Sequence, residues 1–303
     1  MMFKKSNYIL KPAFSMLELI FVIVIIGVLS KFGIELMAKA YENYIFTKIN
    51  NRLQNQSGSA IEFIAKRLSY RIPDSVIGRV DAGDYDGIQQ LNPNKAYRVL
   101  EWVATDIDGW RGESAPYWSG IVDLDESSNN FIVTPETNST AINNLIGILS
   151  QSDSNMTDSA IYFIGSNSDI NSSYGWQGAA VTGPGAAMHP IIGFSADEDN
   201  LTGNFGGVDL YEYYKLSWTA NAIEIVDDNK SNGTFNLVYY YDYQPWNGER
   251  YNDNGSNIKS SIIMENVSTF QFMGVGSMIK IQVCVKSTLT RGAHSICKEK
   301  TVF

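Results

Sequence analysis

The chain begins with a short polar segment and then becomes almost entirely apolar. Residues 14–29 contain one charged side chain, Glu18. Three lysines and no acidic residue precede them: Lys4, Lys5 and Lys11. Sixteen helical residues span about 24 Å, slightly less than a bilayer core, and apolar residues continue to position 37. The pattern predicts a transmembrane helix over 14–37, with the lysine side in the cytoplasm.

Two simpler interpretations of this segment are less satisfactory. A cleaved signal peptide needs small residues directly after the apolar run, and the candidate, Ala38-Lys39-Ala40, lies about ten residues too far along the chain. A generic signal anchor does not explain Glu18, because a charge in a membrane helix costs about 2.5–3.5 kcal/mol on insertion scales.

Helical periodicity continues beyond the apolar run. Apolar residues recur every four positions at Tyr41, Ile45, Ile49 and Leu53, which predicts an amphipathic continuation over 38–72. We expect Ser57-Gly58-Ser59 to interrupt or bend it and Pro73 to stop it. Residues 60–71 should pack on a sheet, whereas 30–55 should pack against other subunits.

Residues 73–303 are rich in Asn, Ser, Gly and Asp, and short runs of aromatic and β-branched residues alternate with turn signals. Strands are predicted at 97–104, 131–134, 161–164, 210–218, 222–226, 234–243, 267–273 and 278–285, with turns at 219–221, 232–233 and 274–277 and a helix at 141–149. The predicted fold class is α+β: a long N-terminal helix packed on an antiparallel β-rich globular domain.

Charge and composition exclude several functions. The 303 residues include 23 Lys and Arg against 32 Asp and Glu, a net charge of −9, which disfavours nucleic acid as a partner. Two Cys and two His leave too few soft ligands for a usual four-ligand zinc site, and HExxH, GxSxG and phosphate-loop motifs are absent from the sequence. We therefore expect no catalytic activity and no cofactor, calcium excepted.

The run KPAFSMLELIFVIVIIGVL, residues 11–29, resembles the N-terminal signal of type IV pilins and type II secretion pseudopilins. The resemblance implies a leader, 1–13, that a prepilin peptidase removes by cutting between Ala13 and Phe14, followed by N-methylation of Phe14. Glu18 then becomes the fifth mature residue, where this family has its glutamate. Ala13 departs from the usual glycine, which puts the efficiency of cleavage in doubt.

The resemblance also implies a cellular context and a pilin-like fold. Residues 265–272 are similar to the late β-region of J-type minor pseudopilins and related minor pilins. The expected partners are prepilin peptidase, other pilin or pseudopilin subunits, the inner-membrane assembly platform and, before assembly, membrane lipid. The expected location is the bacterial inner membrane with the C-terminal domain in the periplasm, and then the pilus or pseudopilus.

The same residues suggest a physical role for Glu18. Cleavage before Phe14 creates a positive α-amine four residues away, on the same helix face. Each charge alone would be costly to bury, but paired within or between subunits they offset one another's desolvation and fix the register. We expect Glu18 to serve assembly and not membrane insertion.

Cys284 and Cys297 lie in the part expected to be exported. In an oxidising compartment they predict a disulfide, and pilins often have a C-terminal disulfide loop of this kind. The alternative adds His294 and makes the three residues metal ligands.

Acidic residues cluster at several turns, where they could be solvated or hold calcium. The clusters are Asp81, Asp84 and Asp86; Asp106, Asp108 and Glu113; residues 197–199; and residues 227–228. None has the EF-hand pattern. Solvated turns are the default, and the first cluster is the calcium candidate.

Aromatic residues are concentrated in Tyr239-Tyr240-Tyr241-Asp242-Tyr243-Gln244-Pro245-Trp246. Such a run forms either core and cross-strand pairs or a platform for glycans or a partner protein. Two alternative functions stay open beside the pilin interpretation. A surface adhesin would bind its target without partner subunits, and a membrane-anchored enzyme would turn over a substrate.

Overall fold

A computed structural model describes residues 15–81, 83–166, 168–195, 199–226, 233–253, 258–287 and 295–303. The chain divides into two compact units between Arg52 and Leu53. The described part of the first unit is helical from Met16 onward, and the second unit contains the sheets.

Three α-helices and thirteen strands are described. The helices are α1 (Met16–Leu68), α2 (Ile107–Arg111) and α3 (Ser139–Leu149). The strands are β1 (Ile77–Arg79), β2 (Tyr85–Gly87), β3 (Val99–Ala104), β4 (Phe131–Val133), β5 (Ala160–Phe163), β6 (Met188–Phe194), β7 (Asn200–Gly203), β8 (Tyr214–Ser217), β9 (Thr219–Val226), β10 (Phe235–Tyr241), β11 (Lys259–Val275), β12 (Met278–Lys286) and β13 (Ser295–Val302). The fold class is α+β, as predicted.

Helix α1 buries a face only in its last four turns. Its buried residues, spaced three or four apart, are Leu53, Ser57, Ala60, Ile61, Ile64, Ala65 and Leu68. The Phe63 ring meets Tyr239 of β10 edge-on, with centroids 5.1 Å apart, and Glu62 forms an ion pair with Lys300 of β13. This part of α1 therefore packs on the sheet, as predicted for 60–71.

The predicted interruption at Ser57-Gly58-Ser59 is wrong, because α1 runs through these residues. Ser57 is buried, and its hydroxyl donates to the Gln54 carbonyl oxygen at 3.2 Å. A serine that bonds back to its own helix satisfies its polar group without breaking the helix. Packing of the buried face then outweighs the low helix propensity of Gly58.

The main sheet has the strand order β13-β12-β11-β10-β9-β3-β1-β2, with antiparallel pairing throughout. Strands β9 to β13 form a meander in which each pairs with the next. The predicted hairpin near the C-terminus is confirmed, since β11 and β12 pair up to Val275 and Met278 around Gly276 and Ser277.

The end of α1 is fixed to this sheet through Arg71. Its buried guanidinium donates from Nη1 to the carbonyl oxygens of Leu68 and Phe303, at 3.0 and 3.2 Å, and from Nη2 to that of Ser277 at 3.1 Å. One side chain thus joins the helix end, the β11–β12 turn and the end of β13.

A second folded region is inserted between two neighbouring strands of the main sheet. Strands β3 and β9 are register partners at Ala104 and Thr219, and residues 105–218, here called the insert, contain α2, α3 and a five-stranded sheet of order β4-β7-β6-β5-β8. Ile121 bridges to Tyr213 and Asp123 to Val133. The segment 121–123 thereby links the two edges of this smaller sheet.

The predicted turn at 219–221 is wrong, because these residues begin β9. The predicted strand 210–218 is shorter, Tyr214–Ser217, and belongs to the smaller sheet. Trp218 lies between the two strands, so the chain crosses from one sheet to the other without a loop. Among the described residues, one buried cluster lies inside the insert and another combines residues of both sheets. Further buried apolar residues lie where the last turns of α1 pack on the main sheet.

Candidate functional site

The first candidate site is the apolar face of α1. From Met16 to Met37 its large apolar side chains are 43–82% exposed. Of the helices in the described residues, α1 is the one long and apolar enough to cross a membrane, by length and composition. Such a surface needs lipid or other protein around it, because the chain itself does not cover it.

Glu18 lies in the first turn of α1, and its side chain helps to cap the N-terminus of the helix. Its Oε2 accepts hydrogen bonds from the Ser15 backbone N–H at 3.2 Å and the Ser15 hydroxyl at 3.3 Å, and Ser15 Oγ accepts one from the Glu18 N–H at 3.3 Å. This reciprocal pair is a capping box, which satisfies polar groups at a helix start. Its sequence signal is Ser-x-x-Glu before an apolar run, a signal that the charge-based interpretation of Glu18 does not use. The predicted cleavage and methylation residues, Ala13 and Phe14, lie outside the described residues.

Cys284 and Cys297 form a disulfide, as predicted, with an S–S distance of 2.09 Å. They are direct register partners on β12 and β13, with Cα atoms 4.0 Å apart. His294 lies outside the described residues. Because the disulfide uses both sulfurs, the three-ligand metal alternative does not form in this structure.

Removing this crosslink should destabilise the second unit. We expect Cys284→Ser/Cys297→Ser to lower the free energy of unfolding by about 3 kcal/mol, since a loop of this length is freed in the unfolded chain. Urea unfolding followed by tryptophan fluorescence measures the change, with reduced wild type as the matched control. Equal midpoints for oxidised and reduced wild type would contradict the prediction.

The calcium candidates Asp81, Asp84 and Asp86 lie in and beside the turn between β1 and β2, and the ammonium group of a lysine pairs with two of these carboxylates. Lys95 Nζ donates to Asp84 Oδ1 at 2.6 Å and to Asp86 Oδ2 at 2.7 Å. Hydrogen bonds from Lys95 and Tyr97 lower the pKa of Asp86. Asp81 instead accepts from the backbone N–H groups of residues 83 and 84. Among the described residues no group of three His, Cys, Asp or Glu side chains is placed to hold a metal ion.

The second acidic cluster contains a buried carboxylate. Asp106 caps α2, accepting from the Gly109 N–H at 3.0 Å, and burial raises its pKa to about 6. Its Oδ2 is buried and has no hydrogen-bond partner among the described residues. Of the last two clusters, residues 197, 198, 227 and 228 lie outside the described residues.

The aromatic run at 239–246 is mostly core. Tyr239, Tyr243 and Trp246 are buried; the Tyr243 hydroxyl donates to Glu101 Oε1 at 3.0 Å, and Trp246 Nε1 donates to the Asp158 carbonyl oxygen at 2.9 Å. Tyr241 is half-buried. The core interpretation holds for the three buried residues, and Tyr241 remains available at the surface.

A buried ion pair lies beneath the main sheet. Arg79 Nε donates to Glu101 Oε2 at 2.8 Å, and both side chains are 1% exposed. Arg79 Nη2 also donates to the Trp176 carbonyl oxygen at 3.1 Å, which ties β1 and β3 to the insert. Burial raises the pKa of Glu101, and its bonds to Arg79 and Tyr243 oppose that shift. The partners named here lie inside the fold, so the pair joins β1 and β3 to the insert.

The buried imidazole of His189 should make the stability of the fold depend on pH. It packs against the rings of Phe163 and Phe205, and burial lowers its pKa to about 4. The unfolded chain takes up a proton near pH 6.5 and the folded chain does not, so its contribution to stability is lost as pH falls from 6.5 towards 4. Asp106 titrates in the same window with the opposite sign.

We therefore expect His189→Gln to remove about 2 kcal/mol of the stability difference between pH 6.5 and 4.5. Urea unfolding of wild type and variant at both pH values gives that difference directly. Comparing the two proteins cancels the titration of Asp106 and the other carboxyl groups. An identical pH dependence in both proteins would show that His189 is protonated in the fold.

No family model, curated protein or solved structure matches this chain.

Proposed function

We propose that this chain is a minor subunit of a type II secretion pseudopilus or a type IV pilus. The observation that carries the proposal is the difference in burial between the two ends of α1. One continuous helix exposes its apolar residues from Met16 to Met37 and buries a face only from Leu53 onward. A helix of this kind can be stored in lipid and later packed among the helices of a filament, while its last turns hold the exported domain.

The proposal assigns a sequence of steps to the N-terminus. Prepilin peptidase removes residues 1–13, and the new amine of Phe14 is methylated. The net charge then changes from −9 to −12, because the leader contains three lysines and no acidic residue. The assembly platform next moves α1 from the inner membrane into the filament, where Glu18 and the amine offset one another's burial.

Other features agree with an architectural role. The disulfide joins β12 to β13, and disulfides form and persist in an oxidising compartment such as the periplasm. The proposed pilin-like arrangement needs neither a catalytic group nor a cofactor. Calcium at Asp81, Asp84 and Asp86 would have to displace the ammonium group of Lys95.

Processing gives the direct test. The chain is produced in cells with and without an active prepilin peptidase, and the N-terminal peptide is analysed by mass spectrometry. We expect an N-methylated peptide beginning at Phe14 only when the peptidase is active. Ala13→Gly should increase the cleaved fraction and Ala13→Leu should abolish cleavage. An N-terminus after Ala40, or an uncleaved chain in both strains, would refute the proposal.

A further inference from the structure

A groove of about 400 Å3 lies beside the last turns of α1. Helix α1 forms one side, the start of α2 and the end of α3 form the other, and strands β9, β10 and β11 form the floor. Lining side chains that matter here are Phe63, Arg67, Asp108, Leu149, Tyr239 and Tyr241. The volume is at the lower end of the range for small-molecule pockets, about 300–1,000 Å3.

The floor is aromatic. Tyr239 and Tyr241, two residues apart on β10, project from the same face of the sheet, and their rings stack with centroids 5.3 Å apart and planes 14° apart. Phe63 meets the Tyr239 ring edge-on. Tyr241 and Phe63 are half-buried, so ring surface stays open to the groove.

Groups of opposite charge line the two walls. The Arg67 guanidinium carbon lies 5.6 Å from the ring centroid of Phe63 and 5.8 Å from that of Tyr239. The guanidinium group makes no hydrogen bond or ion pair with a side chain or carbonyl of the described residues. Asp108, on the other wall, is exposed. Its carboxylate has no hydrogen-bond partner among the residues that the structure describes. One wall thus offers donors and the other an acceptor.

Deeper in the wall, two oxygens are unsatisfied. Thr105 Oγ1 and Asp106 Oδ2 are buried and have no hydrogen-bond partner within the described ranges. Leaving such a group unpaired costs about 1–3 kcal/mol. Both residues line the groove, so a polar ligand that reaches this wall, directly or through water, gains hydrogen bonds that the free protein lacks.

The combination selects one ligand chemistry. An anionic ligand would meet Asp106 and Asp108, and a cationic ligand would meet Arg67. A neutral ring that carries several hydroxyl groups can accept from the guanidinium and donate to the carboxylate, while its C–H face packs on an aromatic ring. We propose that this groove binds a neutral pyranose unit of a carbohydrate. The proposal does not depend on filament assembly.

The test uses the full chain in a detergent without a sugar headgroup. The probes are the methyl glycosides of glucose, galactose, mannose and N-acetylglucosamine, and saturation-transfer NMR measures binding. At least one should bind with a Kd of about 1 mM or tighter. Arg67→Gln, Asp108→Asn and Tyr241→Ser should each weaken binding about tenfold or more.

Matched controls lie outside the groove. Lys66→Gln changes the neighbouring exposed cation on α1, and Tyr213→Ser changes an exposed tyrosine of the insert; both should bind as wild type does. Arg67→Gln and Asp108→Asn alter exposed groups, so a loss of binding with an unchanged melting temperature reports on the groove. Failure of all four probes to bind, or binding that the groove variants and controls affect equally, would overturn the proposal.

Discussion

Glu18→Gln is expected to be processed and inserted normally but to be lost from the complex with other subunits. Glutamine keeps the capping box with Ser15, because its side-chain oxygen still accepts the same hydrogen bonds, so α1 should begin at the same residue. The substitution removes the negative charge. In a filament core the α-amine of Phe14 would then be buried without its partner, at a cost of several kcal/mol.

Three further variants separate charge from capping. Ser15→Ala weakens the cap and keeps the charge, so it should assemble; Glu18→Ala removes both and should fail. Glu35→Gln removes another exposed charge of α1 and should assemble. The measurement is recovery of partner subunits after crosslinking in membranes, with mass spectrometry of the N-terminus as the check on processing. Normal recovery of Glu18→Gln together with failure of Ser15→Ala would assign the role of Glu18 to capping.

Arg79→Leu should cost the fold about 3–5 kcal/mol, because it leaves the Glu101 carboxylate buried without its cation. The loss should be smaller at pH 5 than at pH 7. Burial already raises the pKa of Glu101, and without Arg79 the folded state takes up a proton more readily, so destabilisation grows as pH rises. Denaturant unfolding at the two pH values measures both effects.

The double variant Arg79→Leu/Glu101→Leu should be more stable than Arg79→Leu alone, since no buried charge remains. It still loses the hydrogen bond from Tyr243, so full recovery is not expected. Lys95→Leu is the matched control, because Lys95 also pairs with carboxylates but is partly exposed, and it should have little effect. A double variant less stable than the single variant would show that the pair acts through something other than buried charge.

Structural features that depend on residues close together in the sequence could be predicted from the sequence alone. The α1 periodicity, the β11–β12 hairpin and the helix at 139–149 each show a pattern within a short window. The disulfide followed from the expected compartment. The capping box is equally local, because Ser-x-x-Glu before an apolar run is its sequence signal.

Features set by distant residues were not predictable. The pairing of Ala104 with Thr219 joins residues separated by the whole insert, and no local pattern specifies it. The sequence around Trp218 resembles two strands and a turn, because alternation of side chains does not reveal which sheet a strand joins. The groove likewise combines side chains from six separate segments, and Arg79 meets Glu101 only after β1 and β3 pair.

The insert also gives the chain an uneven distribution of net charge. Residues 105–218 contain fifteen Asp and Glu but only two basic residues, Arg111 and Lys215, a net charge of −13. The rest of the chain carries +4, or +1 once residues 1–13 with their three lysines are removed. Arg111 is directed towards Tyr70, outside the insert. In a chain anchored as proposed, anionic headgroups repel the insert over about one Debye length, 8 Å at physiological salt. The insert is therefore the part of the chain that an anionic surface repels most strongly, and added salt weakens that repulsion.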